Sequence, residues 1–340
     1  MVMAMARLMP KKKTYRTALF QIAAMPKLDQ PSSIEVSVIV PVHNRSNELK
    51  ECLHALSVQD YSKDRFEIII CDDGSTENLS DAVEYARNLG IALVYVRQER
   101  KGPASARNLG ILQAHGSIIA MTDSDTLPNP NWLKNLCAAL NESPKAVGVE
   151  GMVSSLNDLE FIPLSEGPTN KSGKVYLTCN CAYRREVLFQ IGGFDETFPY
   201  PAYEDVELAA QVKTIGPILW QPDALVIHPQ RALNLKAVLK KLTHWEFVLI
   251  MAFRFGYFGW PQYKTKYPRL RAVALSVLAL PFSKIRAAAG CMLVFPSASI
   301  KLLTFGFMEC LGALFFVAPK VLFGNYASKS ARGDYLNNRI

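Results

Sequence analysis

Short apolar runs alternate with helical patterns in the first half of the chain. The runs are four or five residues long and lie at residues 36–40, 66–70, 93–96 and 118–121. Runs of this length are typical of strands that are buried on both faces of a sheet. Between the runs, apolar residues recur at the spacing of one helix face. Strands that alternate with helices predict an α/β domain with a mostly parallel sheet and helices on both faces.

Serine and proline residues indicate where the predicted helices begin. Ser46 is expected to cap a helix that runs to about residue 59. Pro103 fits the first turn of a later helix, and Pro130 is expected to start the next one. Residues 146–230 have a less regular pattern, in which we expect a strand directly before His228.

Acidic residues follow two of the predicted strands. Asp72 and Asp73 come after the second apolar run, and Asp123 and Asp125 come after the fourth. Ligands of open α/β sheets bind at the carboxyl ends of the strands. Asp123 and Asp125 alone are compatible with a surface turn. Two acidic strand ends that face one crevice repel each other, however, so the pattern favours a site for a hard cation such as Mg²⁺ or Mn²⁺.

Charge is distributed unevenly along the chain, whose formal net charge is +8. Residues 31–230 carry 26 acidic and 16 basic residues, whereas residues 231–340 carry three acidic and 16 basic residues. A nucleic-acid-binding domain would instead concentrate basic residues around its recognition element. We predict a basic, flexible lead-in over residues 1–33, an α/β domain over residues 34–230, and a basic, aromatic, helical region over residues 231–340.

The C-terminal region has features of a membrane-associated segment. Residues 235–258 interleave lysine and arginine with large aromatic residues, as interfacial helices do. Residues 302–319 approach the ~20 apolar residues that span a bilayer. Glu309 near the middle of this run would cost roughly 2–3 kcal/mol in a membrane. We expect a peripheral association or one or two spans, and a buried helical subdomain is the alternative.

The chain has seven cysteines, an odd number, and several of them lie in apolar runs. The close pair Cys179 and Cys181 lacks the spacing of a zinc ribbon. We interpret the cysteines as reduced, mostly buried thiols of a cytosolic compartment. Together with the basic tail, this predicts a location at the cytoplasmic face of the cell membrane.

Six short motifs occur in order between about residues 36 and 230, at residues 38–45, 68–75, 102–110, 123–125, 192–196 and 204–208. In this combination the chain resembles glycosyltransferase family 2, whose members have the Rossmann-like GT-A fold. The resemblance implies an inverting, metal-dependent hexosyltransferase type of enzyme. It would move a sugar from a nucleotide-diphosphate donor, with UDP favoured, to a hydroxyl acceptor.

The resemblance also implies a donor site. Pro41, His43 and Arg45 would line the nucleoside pocket, and Asp72 or Asp73 would accept a hydrogen bond from the base. The remaining donor-side residues implied by the resemblance are Arg107, Asn108 and Asp123. From the sequence pattern alone, Arg107 is also compatible with a salt bridge on a helix face.

Metal and acceptor residues follow from the same resemblance. Asp125 would bind Mg²⁺ or Mn²⁺, with Asp123 and His228 as further ligands. Asp205 would be the general base, because the attacking hydroxyl must lose a proton. The acceptor side would further include Asp195 and Glu204. A structural His228, a turn at Asp195 and an acidic helix start at Glu204 and Asp205 are the alternatives.

Two other function classes are compatible with parts of the pattern. One is a nucleotide-sugar-binding protein without transferase activity. The other is a nucleotidyltransferase, which would need a glycine-rich loop where residues 41–45 stand. The chain also lacks a Gln-x-x-Arg-Trp motif, which predicts transfer of one sugar per acceptor. The basic, aromatic tail favours a lipid-linked or polysaccharide-precursor acceptor, and hence a role in cell-envelope polysaccharide biosynthesis.

Overall fold

The computed structural model describes residues 33–155, 165–196 and 204–232, together with residues 300, 303, 304 and 307. By its internal contacts the chain divides into two units. The first comprises Met1–Leu156 and Pro168–Pro229, and the second comprises Asn157–Gly167 and Gln230–Ile340. The predicted lead-in and C-terminal region therefore lie almost entirely outside the described residues. Within the described ranges, no helix has the length and apolar character that crossing a bilayer requires.

Strands and helices alternate regularly in the first half of the first unit. In chain order these elements are β1 (Val36–Val42), α1 (Ser46–Ser57), β2 (Phe66–Asp73), α2 (Ser80–Arg87), β3 (Ala92–Gln98), α3 (Pro103–Gln113) and β4 (Ile118–Met121). The four apolar runs of the sequence are thus strands, and the helical patterns between them are helices. The predicted α/β alternation is confirmed.

The second half of this unit contains more strands than its sequence pattern predicts. Its elements are β5 (Leu127–Pro128), α4 (Trp132–Glu142), β6 (Gly148–Ser154), a 3₁₀ turn (Thr178–Asn180), β8 (Cys181–Arg184), α5 (Arg185–Ile191), α6 (Glu204–Val212) and β9 (Ile218–Ile227). In the second unit, β7 (Ser165–Glu166) and β10 (Arg231–Ala232) form an antiparallel pair.

Eight strands form one mixed sheet in the order β3-β2-β1-β4-β8-β6-β9-β5. The pairs β1–β2, β2–β3, β1–β4 and β6–β9 are parallel. The pairs β4–β8, β6–β8 and β5–β9 are antiparallel. It follows that six strands run in one direction, and the carboxyl ends of β1, β2, β3, β4, β6 and β9 meet at the same edge.

Helices cover both faces of this sheet, as the sequence predicts. On one face, Val38 and Val40 of β1 pack in a core with α1, α2 and α4. On the other face, Ile39 packs in a second core with α3, α5 and α6. The alternation of side chains along a strand explains how one strand contributes to both cores. Trp132 and Phe194, one in each core, are fully buried.

Two predicted element boundaries are wrong for identifiable reasons. β1 does not stop at Pro41, which stands opposite Cys71 in the ladder to β2. The amide of Thr122 donates to the carbonyl of Ile39 on the β4 side. Pro41 faces that side too, where β4 has already ended, so its missing amide hydrogen breaks no ladder bond. Ser46 is the first helical residue rather than the cap. The cap position is Arg45, in the left-handed conformation.

Candidate active site

Three of the predicted metal ligands lie together at the carboxyl edge of the sheet. Asp123 and Asp125 stand in the turn between β4 and β5, and His228 directly follows β9. One ligand atom from each of these residues lies within 4.8 Å of the others. The antiparallel β5–β9 pair places Leu127 opposite Ile227, so the ladder itself brings His228 to the acidic turn.

Hydrogen bonds hold the acidic turn in place. The carbonyl of Asp123 accepts bonds from the Thr126 hydroxyl at 2.7 Å and from the Cys52 thiol at 3.4 Å. The Thr126 hydroxyl lies 2.7 Å from that of Thr122, the residue that follows β4. These bonds fix the backbone of the turn. The side chain of Asp125 is 7% exposed, and that of Asp123 is half-buried.

The histidine of the cluster is oriented by a backbone carbonyl. His228 is buried, and its Nδ1 lies 3.0 Å from the carbonyl oxygen of Pro229. A carbonyl can only accept, so Nδ1 carries the proton in this contact. The other ring nitrogen, Nε2, lies 3.7 Å from Asp125 Oδ1. A histidine oriented through its other ring nitrogen is a typical metal ligand. Two carboxylates and one imidazole fit a divalent cation such as Mn²⁺.

Arg45 lies beside this cluster. Its guanidinium donates to Asp125 Oδ2, and its side chain is 38% exposed. Arg45 and the preceding Asn44 both have positive φ angles, of 64° and 61°. This turn directs the arginine towards the acidic residues. His43, from the same motif, instead places Nδ1 3.0 Å from the carbonyl oxygen of Asp73. The predicted nucleoside contacts of Pro41, His43 and Arg45 remain predictions.

Asp72 is buried at the end of β2 and accepts three hydrogen bonds. The donors are the Ser75 amide at 2.8 Å, the Tyr95 hydroxyl at 2.6 Å and Arg97 Nε at 3.0 Å. Burial acts to raise the pKa of Asp72, but these donors outweigh it and hold the pKa below its usual range. Asp72 is thus a stably ionised carboxylate.

Asp73 fixes the loop that leads into α3. Its carboxylate accepts hydrogen bonds from the amides of Lys101 and Gly102 and from the Gln98 side chain, each at 2.8 Å. The loop lies so close to Gly74 that a Cβ there would stand 2.7 Å from the amide nitrogen of Arg100. Gly74 also has a φ of 71°, which other residues rarely adopt. The loop after β2 and the start of α3 are therefore held together.

Arg107 connects the acidic turn to the start of α6. Its Nη2 donates to Asp123 Oδ1 at 2.8 Å, and its Nη1 donates to Glu204 Oε1 at 3.1 Å. The side chain is almost completely buried. The predicted salt bridge is therefore present, but it joins three separate elements rather than one helix face. The predicted contact of Arg107 with the nucleotide stays a prediction.

Asn108 is engaged by the segment after α5. Its Nδ2 donates to the Phe194 carbonyl at 3.0 Å and to Glu196 Oε1 at 2.7 Å, and its Oδ1 accepts from the Phe194 amide at 2.8 Å. Asp195 is buried within the same segment. Asn108 thus ties α3 to the predicted acceptor side, and its contact with the nucleotide stays a prediction.

Asp205 has the properties of a proton acceptor. Its Oδ1 accepts a bond from the Val206 amide at 2.8 Å, at the start of α6. Burial and the neighbouring charge of Glu204 raise the pKa of Asp205 to about 7. Burial also raises the pKa of Glu204, against the charge of Arg107. A carboxylate with a pKa near neutrality is suited to general base catalysis.

Several residues of the site have no counterpart among the predictions. Tyr95 and Arg97 of β3 both contact Asp72, and Cys52 and Thr126 hold the carbonyl of Asp123. One signal for the first pair is present in the sequence. Tyr95 and Arg97 are two residues apart, so they share one face of a strand next to β2. Cys52 lies in an apolar helix pattern that gives no such signal.

Comparisons with known proteins agree with this fold. The family described as Glycosyl transferase family 2 matches residues 37–194, from β1 to the segment after α5. These residues form a family 2 glycosyltransferase domain, which makes up just under half of the chain.

Solved structures share the fold. One is the mannosyltransferase PcManGT of Pyrobaculum calidifontis in complex with GDP-Man and Mn²⁺, with a TM-score of 0.52 and 20% identity over 96% of this chain and 92% of that one. Another is residues 1–349 of TarS of Staphylococcus aureus in complex with UDP, with a TM-score of 0.53 and 19% identity over 86% of this chain and 93% of that one. At these identities the likeness concerns the fold alone.

Curated relatives match shorter parts of the chain. Glycosyltransferase AglE of Haloferax volcanii is 36% identical over 103 residues, which are 29% of this chain and 33% of the relative. The poly(ribitol-phosphate) β-N-acetylglucosaminyltransferase TarS of Staphylococcus aureus is 34% identical over 110 residues, 32% of this chain and 19% of the relative. The probable glycosyltransferase YdaM of Bacillus subtilis is 27% identical over 62% of this chain and 54% of its own length. The chain thus spans about half of one relative and a third or less of the other two.

Proposed function

We propose that the protein is an inverting, non-processive glycosyltransferase that takes its sugar from a nucleotide-diphosphate donor. One observation carries the proposal. The carboxyl edge of the sheet gathers Asp123, Asp125 and His228 into one cluster, and Arg107 links this cluster to the helix start that bears Asp205. A cation site and a base of raised pKa next to each other are what transfer of a sugar from a diphosphate requires.

The donor would bind at the cation cluster. Asp125, Asp123 and His228 would hold Mn²⁺ or Mg²⁺. When bound, such a cation neutralises negative charge on a leaving diphosphate. Arg45, which contacts Asp125, adds a positive charge on the same side. Asp72 and Asp73 lie at the end of β2, where they would face the nucleoside. UDP is the favoured nucleotide, and the ligands bound in the two solved structures, UDP and GDP-Man, support a nucleotide donor in general.

Asp205 would accept the proton that the acceptor loses. The acceptor hydroxyl oxygen attacks the anomeric carbon from the face opposite the diphosphate, and its proton passes to Asp205. A new carbon–oxygen bond forms as the bond between the anomeric carbon and the diphosphate oxygen breaks. The nucleoside diphosphate leaves with the electron pair, so the configuration at that carbon inverts. The pKa of about 7 supports this role, because such a group is both ionised and basic near neutrality.

The acceptor and the location are inferred from the sequence. The basic, aromatic residues 231–340 favour a lipid-linked or polysaccharide-precursor hydroxyl at the cytoplasmic face of the cell membrane. Asp195 and Glu204 would lie on the acceptor side. By its name, the relative TarS acts on poly(ribitol phosphate), which supports a polymeric acceptor.

A donor screen followed by a transfer assay tests the proposal. Nucleotide sugars are tested for thermal stabilisation of the full chain with and without Mn²⁺. Asp125→Asn is expected to lose the stabilisation that depends on Mn²⁺, whereas Asp205→Asn is expected to keep it and to lose transfer. Asp223→Asn, which changes an exposed carboxylate on β9, is the control and should behave as wild type. Transfer by Asp205→Asn at the wild-type rate would contradict the proposed mechanism.

A further inference from the structure

An ion pair between Arg107 and Glu204 is buried between the two sides of the candidate site. The side chains have exposures of 5% and 7%, and Arg107 Nη1 lies 3.1 Å from Glu204 Oε1. The other terminal nitrogen of Arg107 lies 2.8 Å from Asp123 Oδ1. One guanidinium therefore bridges a proposed cation ligand and the residue that immediately precedes the proposed base.

The ion pair is poorly explained as a contribution to stability. Arg107 Nε and Glu204 Oε2 are both buried without a hydrogen-bond partner among the described residues. Desolvation of a buried ion pair often outweighs its attraction, and an apolar replacement of similar volume is often as stable. A buried pair with unsatisfied atoms thus indicates that its geometry or its charge serves another purpose.

The connections of the pair show what that purpose can be. Arg107 projects from α3, and the ring of Phe194 lies 5.6 Å below its guanidinium. Asp123 belongs to the turn after β4, and Glu204 begins α6. Contacts with Arg107 therefore fix where the start of α6 lies relative to the acidic turn.

We propose that Arg107 and Glu204 are positioning residues that hold Asp205 at a set place and in a set charge environment relative to Asp123. This inference rests on the proposed role of Asp205 as the base. In this proposal Arg107 connects the donor side of the site to the acceptor side and does not contact the nucleotide directly.

Among the residues that the structure describes, this pair has the largest effect of any charged groups on the pKa of Asp205. Other ionisable groups of the described part that lie near it are Cys179 in the 3₁₀ turn and Cys181 and Tyr183 in β8. Burial raises the pKa of each of these last three groups, which are therefore uncharged near neutrality. Glu204 raises the pKa of Asp205 and Arg107 lowers it, so the two act in opposite directions.

The pH dependence of transfer distinguishes this role from a purely structural one. Transfer requires ionised Asp205, so the acidic limb of the kcat/KM profile follows the pKa of that group. Arg107→Met removes a positive charge and should move the limb to higher pH. Glu204→Gln removes a negative charge and should move it to lower pH. Each shift should be about one pH unit, as expected for charges within a few ångströms.

The matched control variants change residues at the edge of the sheet opposite the candidate site. Arg184→Met removes a half-buried arginine that donates to the carbonyls of Ala146 and Leu140, and Glu67→Gln removes a buried carboxylate near the start of β2. Both should leave the acidic limb in place. Arg107→Lys keeps the charge but loses the fork that reaches two carboxylates. It should keep the limb near its wild-type position while kcat falls.

A second measurement needs no activity. In the full chain, Arg107→Met and Glu204→Gln should lower the melting temperature by less in combination than the sum of the single changes. Additive losses would overturn the inference whatever the activity of the protein. Shifts of the limb in the same direction, or no shifts, would overturn it while leaving the proposed function in place. If Asp205→Asn instead transfers sugar normally, Asp205 is not the base. The proposed function and the proposed positioning role of Arg107 and Glu204 are then both wrong.

Discussion

Asp72 and Asp205 are carboxylates that border the same candidate site, yet their surroundings differ. Asp72 accepts hydrogen bonds from a backbone amide, a tyrosine and an arginine, and its pKa is lowered. Asp205 accepts a hydrogen bond from the backbone amide of Val206, and burial together with Glu204 raises its pKa. One residue type is thus prepared for two tasks, a lasting negative charge at the end of β2 and proton uptake at the start of α6.

The difference reflects the two halves of the first unit. The half from β1 to β4 is a regular parallel array, and its loops offer amide donors to the acids at the strand ends. The half from β5 to β9 is a mixed array, and at the start of α6 its acids Glu204 and Asp205 lie beside each other and near one buried arginine. Donor-rich loops suit the binding of a constant charge. A crowded acidic helix start suits a group that must change its charge during each turnover.

The largest expected effect concerns the base itself. Asp205→Asn should lower kcat by about 10²–10⁴-fold, the usual contribution of general base catalysis, with little change in the KM for the donor. Steady-state kinetics over a range of donor concentrations measure both constants. A change confined to KM would show that Asp205 binds substrate and does not take up a proton. Asp72 and Asp205 would then no longer differ in their tasks.

The next largest effect tests whether the two halves share one cation site. His228 follows β9, in the second half, but faces Asp125 in the turn after β4. His228→Ala should weaken Mn²⁺ binding by about 10–100-fold, because one of three ligands is lost. Titration followed by the signal of free Mn²⁺ measures the affinity without any donor. His115→Ala, at a histidine paired with Glu67, is the control and should bind Mn²⁺ as wild type does.

A smaller effect concerns stability and pH. The pKa of Asp205 is higher in the folded protein, about 7, than the usual value near 4. Its contribution to stability is therefore fully present below about pH 4 and is lost as the pH rises towards 7. Asp205→Asn removes this loss, so its melting temperature at pH 8 should exceed that of wild type, by about 2–4 °C for each kcal/mol of the loss that is removed.

The same melting curves at pH 4 provide the contrast for this prediction. The advantage of Asp205→Asn should nearly disappear there, because pH 4 lies far below the pKa of Asp205 in the folded state and close to its pKa in the unfolded state. A difference between variant and wild type that is constant from pH 4 to pH 8 would contradict a raised pKa. Asp223→Asn, at an exposed position, should follow wild type throughout.

The smallest effect concerns the donors around Asp72. Tyr95→Phe removes one of its three hydrogen bonds and should lower the free energy of unfolding by about 1 kcal/mol at neutral pH. Because the pKa of Asp72 is lowered in the folded protein, this difference should shrink as the pH falls through that pKa. Denaturant titrations at neutral pH and at a pH below the pKa of Asp72 measure the difference in the free energy of unfolding. Tyr85→Phe, whose hydroxyl contacts exposed His54, should change stability by less.

The first half of the domain was predictable because its strands are continuous apolar runs. In the second half, β6 contains buried Glu150, which local pattern marks as polar. Its carboxylate accepts bonds from the amides of Lys174, Val175 and Tyr176, about 25 residues away. Burial of this strand therefore depends on partners that the local sequence does not reveal.

β9 was hard to predict for a related reason. Pro222 stands in its middle and would normally end a strand. The ladder to β6 shifts register at this point, since Gly151 pairs with Gln221 and Met152 pairs with Leu225. The irregularity absorbs the proline, and the strand continues to Ile227. The local sequence does not show this, because the shift appears only in the pairing with β6.

The candidate site was predictable to the extent that it follows from strand ends. Asp72 and Asp123 were placed at one edge by the direction of parallel strands alone. The bond between Arg107 and Glu204 joins residues that are 97 positions apart. Such a contact depends on the packing of α3 against the start of α6. The spacing of residues along the chain does not predict this packing.

The two-residue strand β5 has a consequence for how the chain reaches its native state. By pairing with β9 it joins Asp125 to His228, two residues separated by more than a hundred positions. In the unfolded chain, bringing such distant residues together costs loop-closure entropy. A cation that binds both ends would act as a reversible crosslink that the unfolded chain cannot offer. The capacity to bind metal should consequently appear late in refolding, as the last sign that the whole sheet has closed.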